Sequence, residues 1–99
     1  MRTLTTAALL ASCVVATPGL ATMKGAALAP LAKVSLAAAR RAALAARPGT
    51  VIDEELEREK GGSGLRYSFD ITSKGGKYEV GIDAKTGAVL ENGVEIKAD

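Results

Sequence analysis

The residues that could carry chemistry in this chain are carboxylates, lysines and tyrosines; histidine is absent and cysteine occurs once, at Cys13. Without histidine there is no Ser/His or Cys/His pair to activate a nucleophile, no imidazole base near neutral pH and no imidazole metal ligand. One cysteine forms neither an internal disulfide nor a cysteine-rich zinc site. The densest remaining group is acidic: Asp53, Glu54, Glu55, Glu57 and Glu59, with Arg58 among them. Hard divalent cations need several oxygens converging on one point, whereas alternate residues of a strand merely line up. Cation or ligand sensing through Asp53, Glu55 and Glu57 is therefore the alternative reading, and a binding module the main one. The sequence predicts no enzyme and no cofactor.

Strands and one helix must place those side chains. The chain has 99 residues, enough for one small domain and too few for two. Its hydrophobic share is 47%, but alanine carries much of it, and the rings are limited to Tyr67, Phe69 and Tyr78. SLAAARRAALAARPG (35–49) opens on Ser35, whose hydroxyl can cap the free amides of a first helical turn, and runs on through strong helix formers. Leu36, Ala39, Ala43 and Ala46 share one narrow face, and Pro48-Gly49 ends the helix.

Beyond the helix the period changes. LRYSFDIT (65–72) alternates, with Leu65, Tyr67, Phe69 and Ile71 on one face, and KYEVGID (77–83) turns Tyr78, Val80 and Ile82 the same way. TVIDEELERE (50–59) alternates less regularly, and AVLENGVEI (88–96) reads as a weaker last strand or two short pieces. GGSG, KGG and AKTG between them are short enough to join antiparallel neighbours. The predicted fold is α+β, one N-terminal helix packed on an antiparallel β-meander of three to four strands. A core this small rarely supplies more than about 3–5 kcal/mol, so a partner or a homodimer is expected to matter.

The first segment reads as an address. MRTLTTAALLASCVVATPGLA (1–21) has the layout of a secretory signal: Arg2, an apolar run to Ala16, Pro18-Gly19, then Gly19 and Ala21 as the small residues before a cut after Ala21. The run is too short to favour a permanent membrane span, which takes about 20 residues. LASC (10–13) also resembles a lipobox, which would make Cys13 a lipidated N-terminus; the alternative is that Cys13 is one more apolar residue of the signal. Periplasmic or secreted placement is the expectation. Residues 22–34, broken by Gly25 and Pro30, read as a flexible arm or tether ahead of a domain spanning 35–97. Between Lys24 and Arg47 there are five basic residues and no acidic one. Nucleic acid is not the expected partner, because export opposes it and no aromatic for base stacking lies in the basic stretch. Helix and first strand are expected to complement each other in charge.

A helix ending in AALAARPG, the acidic strand VIDEELERE, a clean alternating strand and then YEVGIDAKTGAVL together resemble the PepSY domain over about residues 34–92. The resemblance implies a secreted or envelope-associated module without catalytic residues, related to a segment in the propeptides of thermolysin-like metallopeptidases. An unknown protein partner, with a secreted or envelope peptidase as the expected kind, follows from it, as does inhibition or modulation of that peptidase. The matching residues carry over as scaffold: Pro48 and Gly49 turn helix into sheet, Tyr78 adds a ring to the core, Asp83 binds turn amides, and Gly87 takes a left-handed position. Two residues depart from the pattern and are candidate interaction positions. Glu54 stands where a small or apolar residue is usual, through either an edge or bulge position or a carboxylate in apolar surroundings. Gly81 leaves a gap on the outer face of its strand, either tolerated or open to a partner backbone.

Overall fold

In the computed structural model, which describes residues 23–95, Ser35 starts the helix its position predicts. Its hydroxyl accepts from the Ala38 amide at 3.0 Å, capping α1 (Leu36–Ala46). Ala39 and Ala43 are wholly buried, while Leu36 and Ala46 pack at the margin of the core. Alanine on the buried face brings the helix axis close to the sheet but covers little area. The expected signal, its cut after Ala21 and Cys13 lie outside the described residues.

Four strands follow: β1 (Thr50–Arg58), β2 (Leu65–Ser73), β3 (Gly76–Asp83) and β4 (Val89–Val94). Each pairs antiparallel with its neighbour in sequence, in the order β1-β2-β3-β4, and α1 lies across one face. The alternation reads out as packing. Leu65, Tyr67, Phe69, Ile71, Val80 and Ile82 are all buried beneath the helix. Tyr67 and Phe69 stack with ring centroids 6.3 Å apart, and the Tyr67 hydroxyl donates to the Val34 carbonyl at 2.7 Å. Tyr78 is only half-buried; the Arg47 guanidinium covers its ring, 3.9 Å from the centroid.

The irregular first strand has a structural cause. The register with β2 shifts between Val51 and Asp53, a β-bulge. The extra residue turns Ile52 outward, where it is 50% exposed. Glu54 and Leu56, opposite Phe69 and Tyr67, then return to the helix side. Asp53, Glu55 and Glu57 therefore stand on the opposite face, away from α1. Only Glu54 meets the basic helix, so charge complementarity between helix and first strand is narrower than the sequence suggests.

Residues 23–34 depart from the expected arm or tether. Met23 is buried at 5% exposure, the Lys24 backbone forms an isolated parallel β-bridge with Glu55, and the Leu56 amide donates to the Lys24 carbonyl at 2.8 Å. A 3-10 helix (Ala26–Leu31) continues along β1. The chain then reaches α1 through Lys33 and Val34, whose amides both donate to the Ala84 carbonyl at 2.9 Å. Gly25 and Pro30, which look like breakers in sequence, shape a docked segment.

The Pro48-Gly49 corner passes so close to β2 that a Cβ on Gly49 would collide with the Thr72 carbonyl oxygen. Gly87 closes the β3–β4 turn at φ +83°, with its amide on the Asp83 carbonyl at 2.9 Å. A Cβ there would touch only Val34, so the cost of a side chain is the left-handed backbone itself. Gly87→Val is expected to lower stability by about 1–2 kcal/mol, and unchanged thermal melting would contradict this account of the turn.

Candidate functional site

Asp83 holds two turns together. Its carboxylate accepts from the Ser63 amide (2.7 Å) and hydroxyl (2.8 Å) in the β1–β2 connection, and from the Lys85 (2.8 Å) and Thr86 (3.1 Å) amides in its own turn. Burial alone would raise this carboxyl. The donors from Ser63, Lys85 and Thr86 outweigh it and hold the group down at about 2. Every oxygen of Asp83 is thus engaged in holding the fold. Pro48, Gly49, Tyr78 and Gly87 likewise sit at corners or in packing, so the fingerprint residues form a frame and are not gathered into one site.

The two departures resolve differently. Glu54 lies beside the bulge on an edge strand and faces α1, where Arg40 Nε donates to its carboxylate at 2.5 Å. A carboxylate in this position is paired across layers by a helix cation. The gap at Gly81 is filled from the neighbouring strand. Arg66 lies over it, and a Cβ at Gly81 would come within 3.2 Å of Arg66 Cδ and 3.3 Å of Glu91 Cβ. Gly81 is buried, so the space expected to admit a partner backbone holds an arginine that reaches Glu91 (3.2 Å), Glu59 (3.9 Å) and the Lys60 carbonyl (3.0 Å).

What the helix leaves uncovered is the other face of the sheet, and it is acidic. Asp53 stands opposite Asp70, and Asp70 opposite Glu79, in one rung across β1, β2 and β3. Glu55 and Glu91 lie in the next rung. Glu95, beyond the end of β4, pairs with Lys77 at 3.6 Å. Of these, Asp53, Glu55, Asp70, Glu79 and Glu95 border a shallow depression of about 360 Å³ in which Lys24 and Lys77 are the cations. Like charges directly opposite on neighbouring strands destabilise a sheet. Burial, then the charges of Glu91, Asp70, Glu95 and Glu57, push the Glu79 carboxyl up to about 7.

The stability consequence has a definite sign. Glu79 binds its proton more tightly in the folded chain than in the unfolded one, where it titrates near 4.5. Below that pH both states are protonated and nothing is lost. As pH rises through about 7 the folded state is penalised progressively. Glu79→Gln is therefore expected to stabilise the protein at pH 8 by about 1 kcal/mol, discounted for solvent screening, and to have no effect at pH 4. Denaturation midpoints at the two pH values check this, and equal midpoints at pH 8 would contradict it.

The open face ends at an open edge. β1 has the Lys24–Leu56 contact on its outer side, whereas β4 has no strand beyond it among the described residues. Val89 is 48% and Val94 68% exposed on that edge. Asn92 ties the strand to the helix end, accepting from Arg47 Nε at 3.0 Å and donating to the Ala46 carbonyl at 3.2 Å. Glu79 and this edge escape residue-by-residue reading. The signal available was register: counting back from the KGG turn places Asp70 opposite Glu79.

Among the described residues no cluster of acidic side chains converges well enough to hold a metal ion, and no helix is long and apolar enough to cross a membrane. Among the described residues, a single α-helix on a four-stranded antiparallel meander, with an open sheet face, defines a small α+β module. The chain belongs to the PepSY family: the model for the peptidase propeptide and YPEB domain matches residues 33–92. No curated protein and no solved structure matches the chain with significance.

Proposed function

We propose that the protein is a non-catalytic module that acts outside the cytoplasm by binding another protein, a secreted or envelope peptidase being the partner favoured by the family, and that it restrains or modulates that enzyme. Membership of a family described by peptidase propeptides carries this reading. The layout of residues 1–21 supports export, and the absence of histidine supports a role without catalysis. The free β4 edge supplies a means, because an exposed edge strand can pair with an extended segment of a partner. The test is titration of the purified protein against secreted thermolysin-like metallopeptidases, following residual activity and complex formation by size-exclusion chromatography. Inhibition or altered activity with a recovered complex is expected; unchanged activity and no complex would refute the reading. Ligand or cation sensing is the other possibility drawn from the sequence, but the spread of Asp53, Glu55 and Glu57 along one strand gives it less support.

A further inference from the structure

We propose that the β4 edge receives an extended segment in which lysine or arginine alternates with an aliphatic residue, one cation crossing above Gly93 to reach Glu79. This deepens the reading of the protein as an interaction module and rests on it. Three features of the edge specify that chemistry.

The first is the backbone. Glu95 donates its amide to the Lys77 carbonyl at 3.0 Å. Hydrogen bonds alternate along an antiparallel pair, so the amides of Asn92 and Val94 point away from β3, toward an added strand. The second is the helix-side face. Val94 stands opposite Tyr78 and Val89 opposite Ile82, and both valines remain largely exposed. Aliphatic side chains of an added strand would lie beside them.

The third is the open face. Gly93 stands opposite Glu79, between Glu91 and Glu95, and a Cβ at Gly93 would meet no atom within 4 Å. Among the described residues, no atom stands beside a Cβ at Gly93 on the way from the edge to Glu79. With strands about 4.8 Å apart, the residue of an added strand facing Gly93 sits roughly 10 Å from the Glu79 backbone. An extended lysine or arginine and a glutamate together span that distance.

A second copy of the chain is the wrong occupant. Antiparallel pairing of two β4 strands about Gly93 would set Glu91 of one copy against Glu95 of the other, and opposed like charges are destabilising. A cationic strand instead relieves crowding already present. Glu79 is faced by Asp53, Glu55 and Glu57 of β1, Ser68 and Asp70 of β2, Lys77 of β3, Glu91 and Glu95 at the β4 end, and Lys24 before the 3-10 helix. Arg66 on the same face is engaged with Glu59 and Glu91. An arriving ammonium or guanidinium favours the ionised form of Glu79, so binding strengthens from pH 6 to pH 8 and releases a proton.

The purified protein is titrated at low salt with three blocked heptapeptides, alternating valine with lysine, valine with glutamate, and serine with lysine. Tight binding of the valine–lysine peptide alone is expected, with amide shifts concentrated at Asn92–Val94. Gly93→Val, at a half-buried position where a Cβ meets open space, should melt like the parent yet bind at least fivefold more weakly. Glu79→Gln should weaken binding similarly and flatten its dependence between pH 6 and pH 8. Overturning results are no binding, equal binding of either control peptide, shifts at β1 in place of β4, or affinity unchanged in both variants. A peptidase complex that forms equally well with Gly93→Val would also overturn this proposal while leaving the interaction reading intact. Peptide binding as described without any peptidase complex would do the reverse.

Discussion

Asp83→Ala is expected to cost about 3 kcal/mol, because it removes the acceptor of four hydrogen bonds at once. Hydrogen bonds to a charged group are worth roughly 1.5–3 kcal/mol each, but the amides of Ser63, Lys85 and Thr86 are close enough to solvent to recover part of that. For a domain this small the loss lowers the melting temperature by roughly 12–24 °C. The substitution also disconnects the β1–β2 connection from the β3–β4 turn, so hydrogen exchange should quicken at the Ser63, Lys85 and Thr86 amides together. Acid provides a second readout. A carboxyl held at about 2 in place of its ordinary 3.8 contributes on the order of 2 kcal/mol of stability. That contribution is fully present above pH 3.8 and is lost as pH falls through about 2. The parent should therefore lose stability over this range more steeply than the Asp83→Asn variant. Parallel acid profiles, or melting of Asp83→Ala within a few degrees of the parent, would show that the two turns hold without the carboxylate.

Gly25→Ala is expected to be nearly as damaging, at a position the sequence presents as part of a loose arm. Gly25 adopts φ +78°, and a Cβ there would overlap the Leu56 carbonyl oxygen. A backbone carbonyl inside a strand cannot move aside as a side chain can, so the segment must lift off β1. Lifting breaks the hydrogen bond from Leu56 to Lys24 and exposes Met23, whose burial is worth about 1.5–3 kcal/mol. A loss of about 2–3 kcal/mol follows, together with rapid proteolysis within residues 23–34 and faster exchange of the Leu56 amide. Gly93→Ala, where a Cβ meets open space, is the control and should change none of these. Normal protection of Leu56 in Gly25→Ala would contradict the docked arrangement.

How much of this was legible depends on whether a feature is local. Ser35 and Pro48-Gly49 bound a helix because capping and ring sterics act within a few residues. The two clean alternations, 65–72 and 77–83, put Leu65, Tyr67, Phe69, Ile71, Val80 and Ile82 on the helix side, where all are buried. They did not show that Arg66, Ser68 and Asp83 of the opposite face are buried too, or that Tyr78 is only half so. The docking of Met23–Leu31 was hidden, since Gly25 and Pro30 carry the same local signal whether a segment is free or fitted around another strand. The bulge at Ile52 was hidden too, because one inserted residue shows only against a partner strand. Glu54 and Gly81 stood out from the family pattern, but their meanings came from Arg40 and Arg66, which are distant in sequence. Glu79 looked ordinary within its own strand. Its crowding exists only once Asp70, Glu91 and Glu95 are brought alongside by the register.

The order β1-β2-β3-β4 also has a consequence in time. Each strand finds its mate immediately next to it in the chain, so the sheet can assemble by closing short loops, the kind of topology that folds fast for a β-rich protein. The contact between Lys24 and Leu56 spans far more chain and is entropically the slower to close. The meander would therefore form promptly, and the contact between Lys24 and Leu56 would act as the latch that closes last.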